Sequence, residues 1–419
     1  MPVQYTALQN GIRVLTDTSP HVDSVAMGAF FGVGTRNENM TQNGVAHLVE
    51  HMMFKGTRTR SALDIAETIE GIGGHMNAYT SREATAYYFH ILKDDVAQTL
   101  DVLSDMLQHS IFDATELDRE RGVIIQEIGM NNDTPEEVVV DMFQETAYPG
   151  QTLGAPILGL AHVIETMPRG AIVDYVRTHY TPKNLVISAA GNIDHDTFVT
   201  MVERAFTSLP TDTPHTPVPA QYTGGDTRAV KDLEQAHIFV GFEGLKRRDP
   251  RYYDAVALAH ILGGGMTSRL FQEIREKRGL VYSTYAFHSA FHDSGTFGVY
   301  AGTGEDKIPE LMDTLMIEFQ KIRDAVSDTE IARTKHQMKS SLLMGRESMT
   351  TRADQNAKHL MFHDRVLDTD DLRTRIDAIS GDGIITLARQ FLATPPTVAA
   401  LGPIAPLLGY EELKAKLIA

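Results

Sequence analysis

Two histidines and a glutamate fall within five residues of one another in Val45-Ala46-His47-Leu48-Val49-Glu50-His51-Met52-Met53-Phe54. On a helix, His47 and His51 lie one turn apart on the same face, so both imidazoles can reach one metal ion with Glu50 beside them. H-x-x-E-H inverts the H-E-x-x-H pattern of metal hydrolases, whose chemistry is water activated at a metal beside a carboxylate. The same stretch also reads as an amphipathic helix, with Val45, Leu48, Val49, Met52 and Met53 in a core and the histidines in solvent. A third ligand would decide between the two, because a catalytic zinc takes three protein ligands and keeps one position open.

The spacing predicts a helix over 113–131 (DATELDRERGVIIQEIGMN), which carries Glu116, Glu120 and Glu127. Glu120 and Glu127 are seven residues apart and share a face, leaving Ile124, Ile125 and Ile128 to pack elsewhere. Taken singly, each of these acids reads better as solvated helix surface.

Composition limits the chemistry. The chain has 419 residues and no cysteine, so thiolate ligands, thiol nucleophiles and disulfides are excluded and a metal must use His, Asp or Glu. A net charge of −17 argues against nucleic acid and anionic membranes as partners and favours cationic ligands such as basic peptides. No apolar run is long enough to span a membrane. The first residues, Met1-Pro2-Val3-Gln4-Tyr5, have no signal or transit character, which points to bacterial cytoplasm first and the mitochondrial matrix second.

The elements that must position these groups follow from local pattern. Asn10-Gly11 marks a hairpin, and 24–32 and 84–92 read as strands. Ser61 caps a helix that stops at Gly71, and helices are expected over 94–110 and 194–206, with a strand at 184–191. The glycines of 71–74 lead into His75-Met76-Asn77-Ala78-Tyr79, which suits an edge strand. Four prolines and a glycine pair in 209–226 mark a linker. Beyond it the pattern returns: Gly170-Ala171-Ile172 matches Gly383-Ile384-Ile385 at an offset of 213, and 236–244 resembles 24–32. At an offset of 207 the metal-binding positions become Asp254, Ala257 and Leu258, so only one copy carries the chemistry. The expected fold is α+β, with two homologous α/β-sandwich-like domains (1–208 and 227–419), each a mostly antiparallel sheet packed with helices.

The residues His47-Leu48-Val49-Glu50-His51, with Glu127 following 76 residues after His51 inside Glu120–Ile128, resemble the pitrilysin-type (inverzincin) zinc peptidases. Within that family they resemble most the mitochondrial processing peptidase β-subunit and its bacterial homologues. Phe54-Lys55-Gly56-Thr57, Asn77-Ala78-Tyr79-Thr80 and the segment Gly263 to Ser283 extend the resemblance. It implies one Zn2+ per chain held by His47, His51 and Glu127, with Glu50 as general base and Glu120 as a supporting acid. It further implies that Asn77 and Ala78 hold an extended peptide, that Arg275 anchors its backbone, and that Tyr282 donates its hydroxyl near the scissile bond. In this reading unfolded peptides are cleaved inside a chamber closed by a homodimer, with Arg275 and Tyr282 acting in trans. The alternative is a noncatalytic assembly subunit of a larger complex.

Overall fold

A computed structural model of the chain describes residues 3–211 and 217–418. Strands β1 (Gln4–Ala7), β2 (Arg13–Thr18), β3 (Ser24–Phe31), β4 (His75–Thr80), β5 (Thr85–Leu92) and β6 (Leu185–Gly191) form one sheet in the order β1-β2-β6-β3-β5-β4. A second sheet, in the order β7-β11-β8-β10-β9, contains β7 (Gly225–Val230), β8 (Ala236–Glu243), β9 (Val281–Ala290), β10 (Gly295–Thr303) and β11 (Thr397–Gly402). Among the described residues only β2–β6 and β7–β11 pair in parallel. With β1 set aside, the two orders correspond strand for strand, so the faint repeat in the sequence is a duplicated fold. Both sheets are packed with helices, as the α+β reading requires.

Local chemistry accounts for most boundaries. The β1–β2 hairpin turns where Gly11 takes φ +99°, a left-handed conformation open to glycine. The first five helices are α1 (Val45–Met53), α2 (Ala62–Glu70), α3 (Val96–His109), α4 (Ala114–Asn132) and α5 (Pro135–Ala147). Ser61 caps α2 reciprocally with Asp64, its hydroxyl accepting from the Asp64 N–H at 3.1 Å while Asp64 accepts from the Ser61 N–H at 2.8 Å. Among the described residues no helix is long and apolar enough to cross a membrane.

The chain forms two compact units, and they are not its two halves. One comprises 1–129, 156–218 and 342–369; the other comprises 130–155, 219–341 and 370–419. The expected domains, 1–208 and 227–419, thus each give one helix-bearing segment to the other's unit. In the expected linker, 212–216 lie outside the described residues; Gln221 pairs in both directions with Gln151, so that end is tied to the second unit.

The reason for the exchange is that each sheet has two apolar faces. On β3, Val25, Met27, Ala29 and Phe31 face the core that holds α1, while Ala26 and Phe30 face the opposite way. That second face is covered by the helix Met349–His363, through Ala353, Ala357 and Leu360. In the second unit α5 plays the same part: Phe143 packs on Phe239 with ring centroids 4.9 Å apart. A Cβ at Gly241 would stand 2.6 Å from the Phe143 ring, so glycine makes room for it.

A buried carboxylate locks the helix Met349–His363 in place. Asp17, fully buried on β2, accepts from Arg352 Nε at 2.8 Å, Arg346 Nη2 at 3.2 Å and Asn356 Nδ2 at 3.2 Å, and Arg352 Nη2 reaches its other oxygen. Burial pushes the Asp17 carboxyl up, but the hydrogen bonds and charges of Arg352 and Arg346, with Asn356, hold it below the ordinary range.

A second buried acid starts α1. Gly44, at φ +93°, precedes α1 and has no side chain to cap it. Glu38 supplies the cap, accepting from the Ala46 N–H at 2.8 Å, the Gly44 N–H at 2.9 Å and Asn43 Nδ2 at 3.1 Å. Burial pushes this carboxyl up to about 8, against the pull of the three N–H donors.

Asp17→Asn is expected to cost about 3–5 kcal/mol in urea unfolding, because it leaves Arg352 buried without its counter-ion. The folded Asp17 carboxyl is depressed, so the pair's stabilisation is full above the unfolded value near ~3.9 and is lost as pH falls through the lower folded one. The pH dependence of the urea midpoint of the variant, compared with the parent, measures this directly. Glu38→Gln turns an acceptor into a donor facing other donors and is expected to cost about 1–3 kcal/mol in the same experiment.

Candidate metal centre

The metal-site helix has the apolar face its sequence predicts: Val45, Leu48, Val49, Met52 and Met53 are all buried. The histidines do not face solvent. His47 is buried and His51 half-buried, with their rings edge to face at 4.6 Å. Opposite them stands Glu127 of α4, whose Oε2 lies 3.8 Å from His47 Nε2 and 3.7 Å from His51 Nε2. These separations are too long for hydrogen bonds and close to the spacing of about 3.4 Å between two donors on one tetrahedral zinc. Among the described residues, His47, His51 and Glu127 are the one His/Asp/Glu group whose ligand atoms all fall within 4.8 Å of one another. Two imidazoles and a carboxylate are a donor set that suits zinc.

Protonation agrees with ligation. Burial, and then the neighbouring His51, push the His47 imidazole down to about 4, so it is neutral with a free lone pair at neutral pH. His51 Nδ1 lies 3.0 Å from Glu120 Oε2. A carboxylate only accepts, so Nδ1 carries the proton, and in the neutral ring Nε2, on the side of Glu127, is the atom left to bind a metal. Glu120 is buried, and its other oxygen takes Lys55 Nζ at 2.8 Å.

Helix α4 delivers both acids by its period. Leu117, Glu120 and Ile124 form its buried stripe and Glu127 continues it. Ile124, expected away from the acids, therefore lies between them, while Ile125 and Ile128 are half-buried beside the same core. Glu116 pairs with Arg119 and stays out of the site.

Glu50 is not among the converging ligands. It is half-buried, and its Oε2 accepts from Thr80 Oγ1 at 2.5 Å. Burial raises its carboxyl above the ordinary range and Glu127 adds to this, while the Thr80 bond and His51 oppose it. Thr80 ends β4, the edge strand that carries Asn77 and Ala78. Asn77 Oδ1 accepts from the Ala78 N–H at 2.8 Å, which marks that N–H as pointing away from β5, along the open edge.

Arg275 and Tyr282 lie in the second unit, where the structure brings them together. The Arg275 guanidinium sits 4.7 Å from the Phe271 ring and 5.2 Å from that of Tyr282, and Tyr282 is 77% exposed. The glycines at 263–265 end a helix: the Gly264 N–H donates to His260 O at 2.9 Å, and a Cβ on Gly263 would meet the Ala286 backbone at 2.3 Å. In the second copy Ala257 and Leu258 are buried and apolar and Asp254 accepts from the Ser380 N–H, so no metal set forms there. Sequence reasoning missed Glu38 and gave Thr80 no role. A carboxylate six residues before Gly44 leaves no local signal, whereas Thr80 ends the motif Asn77-Ala78-Tyr79-Thr80.

Comparison with known proteins bears on the same residues. Residues 13–161 match the family model described as Insulinase (Peptidase family M16), and 166–338 match Peptidase M16 inactive domain. An uncharacterized zinc protease of Rickettsia felis is 40% identical over 94% of this chain and 96% of its own. The uncharacterized zinc protease YmxG of Bacillus subtilis is 38% identical over 96% and 98%. A probable mitochondrial-processing peptidase subunit beta of Arabidopsis thaliana is 36% identical over 98% of this chain and 80% of that one. In fold, a protease from Helicobacter pylori superposes with a TM-score of 0.90 at 20% identity, covering 96% of this chain and 99% of that one. A chain of complex III2 from Candida albicans gives 0.87 at 21% identity, covering 99% and 100%. With its candidate metal-ligand set in the segment that matches the insulinase model, the chain belongs to peptidase family M16.

Proposed function

We propose that this chain is a zinc-dependent endopeptidase that cleaves extended, unfolded peptides. The observation that carries the reading is the convergence of His47 Nε2, His51 Nε2 and the Glu127 carboxylate beside a half-buried Glu50 that is free of the set. When bound, zinc supplies Lewis acidity toward a peptide carbonyl and a water molecule. Glu50 takes the proton from the attacking water and passes it to the leaving amine as the C–N bond breaks. Thr80 holds that carboxylate at one oxygen and leaves the other for the proton. The peptide adds to β4 as a further strand, through the outward N–H of Ala78 and the side chain of Asn77, which binds backbone without regard to sequence. The acidic balance of the chain suits basic peptides.

The active form in this proposal is a homodimer around an enclosed chamber. Arg275 and Tyr282 of the partner subunit hold the peptide backbone and donate to the carbonyl as its charge develops. Support comes from the division of labour in the duplicated fold: the ligand set lies on one copy and the exposed Arg–Tyr pair on the other.

Zinc content near one per chain, with loss of peptidase activity on chelation and recovery on adding zinc back, separates this reading from a noncatalytic assembly subunit. Glu50→Gln is expected to retain the metal while peptide cleavage falls by about 10²–10⁴-fold; a variant as active as the parent would remove Glu50 from the mechanism. Mixed dimers of Glu50→Gln and Tyr282→Phe protomers should regain activity that neither has alone, and verified mixed dimers without it would exclude catalysis in trans.

A further inference from the structure

The motif Phe54-Lys55-Gly56-Thr57 follows the metal-site helix directly, and three of its members have plain structural work. Phe54 packs toward Tyr87 with ring centroids 5.9 Å apart. Gly56 makes the turn at φ +109°. Thr57 Oγ1 accepts from the N–H groups of Thr59 and Arg60 at 3.1 and 2.9 Å and donates to Asp105 Oδ2 of α3 at 2.7 Å. Arg60 Nη1 reaches the same oxygen at 2.7 Å, so the turn is pinned to α3 from two sides.

Lys55 is the member with no structural duty of that kind. Its ammonium lies 2.8 Å from Glu120 Oε1, while Glu120 Oε2 lies 3.0 Å from His51 Nδ1. The Glu120 side chain is 6% exposed. A carboxylate so far from water needs a donor on each oxygen, and with the imidazole alone it could rotate or retreat. Lys55 occupies the second oxygen and sets the plane of the first. The pinned turn aims Lys55, Lys55 fixes Glu120, and Glu120 fixes the ring orientation and tautomer of His51.

We propose that Lys55 is a positioning residue of the metal centre, acting on His51 through Glu120. The inference rests on the metal reading of His47, His51 and Glu127 and adds to it a group two bonds removed from the ligand. It explains why a long cationic side chain stands at the end of this helix, partly buried, rather than in solvent.

The test compares the parent with Lys55→Met, which keeps the apolar stem, with Lys55→Arg, and with Lys55→Met in a Glu120→Gln background. Zinc affinity is read by chelator competition. Lys55→Met is expected to weaken zinc by about 10–100-fold, as loss of an outer partner of a metal-bound histidine does. Lys55→Arg is expected to restore most of it, and Lys55→Met is expected to add little once Glu120 is Gln. Parent-like affinity in Lys55→Met, or an equal loss in the Glu120→Gln background, overturns the proposal. The metal-free protein gives an independent readout in 15N–1H spectra of the His51 ring: the Nδ1–H tautomer should dominate in the parent and lose population in Lys55→Met. An unchanged tautomer overturns the proposal even if the parent binds no zinc, an outcome that would instead refute the metal reading itself. Should Lys55→Met fail to fold, Lys55→Gln is read in the same two assays with the same criteria.

Discussion

The approach of α4 to α1 is the constraint on which the site depends. Two imidazoles one turn apart supply two donors and no more, and the third must come from a residue 76 positions after His51 that no local preference brings near. The contact between His51 and Glu120 joins the two helices, and Glu120 lies on the same stripe of α4 as Glu127. The same bond that orients the ligand therefore also docks the helix that brings the third donor. A slip of α4 by one residue would turn both acids away together.

Three buried carboxylates do comparable work by different partners. Asp17 holds the helix Met349–His363 through Arg352 and Asn356, and the turn before it through Arg346. Glu38 begins the metal-site helix through two backbone N–H groups and one amide. Glu120 joins an ammonium to an imidazole. Each would be costly without its donors. Asp17 and Glu120 take theirs from segments distant in sequence and Glu38 takes its own from Asn43, Gly44 and Ala46 just after it, so a polar group that disfavours burial selects one arrangement.

Duplication gave two sheets of matching strand order and, among the described residues, one candidate metal site. The difference lies in few positions: where one copy has His47, Glu50 and His51, the other has Asp254, Ala257 and Leu258, two of them packed as core. The copies also lend each other cover. A sheet with apolar residues on both faces needs helices on both, and each takes one of them from the opposite half of the chain.

Much was determined by the sequence alone: the helix α1 and its histidine face, the strand at 24–32, the Ser61 cap, the exclusion of thiolate chemistry and the repeat that made the fold α+β. These are local, since helical and strand periods and caps are written in neighbouring residues. Only the tertiary structure decided that Glu127 faces both Nε2 atoms while Glu120 turns to Nδ1, that Thr80 holds Glu50, that Glu38 caps α1, and that the helices α5 and Met349–His363 exchange sheets. The Glu38 cap closes a loop that no local motif encodes; the others join residues brought together by strand order and helix docking, and a side chain's periodicity says that it has a buried face without saying against what.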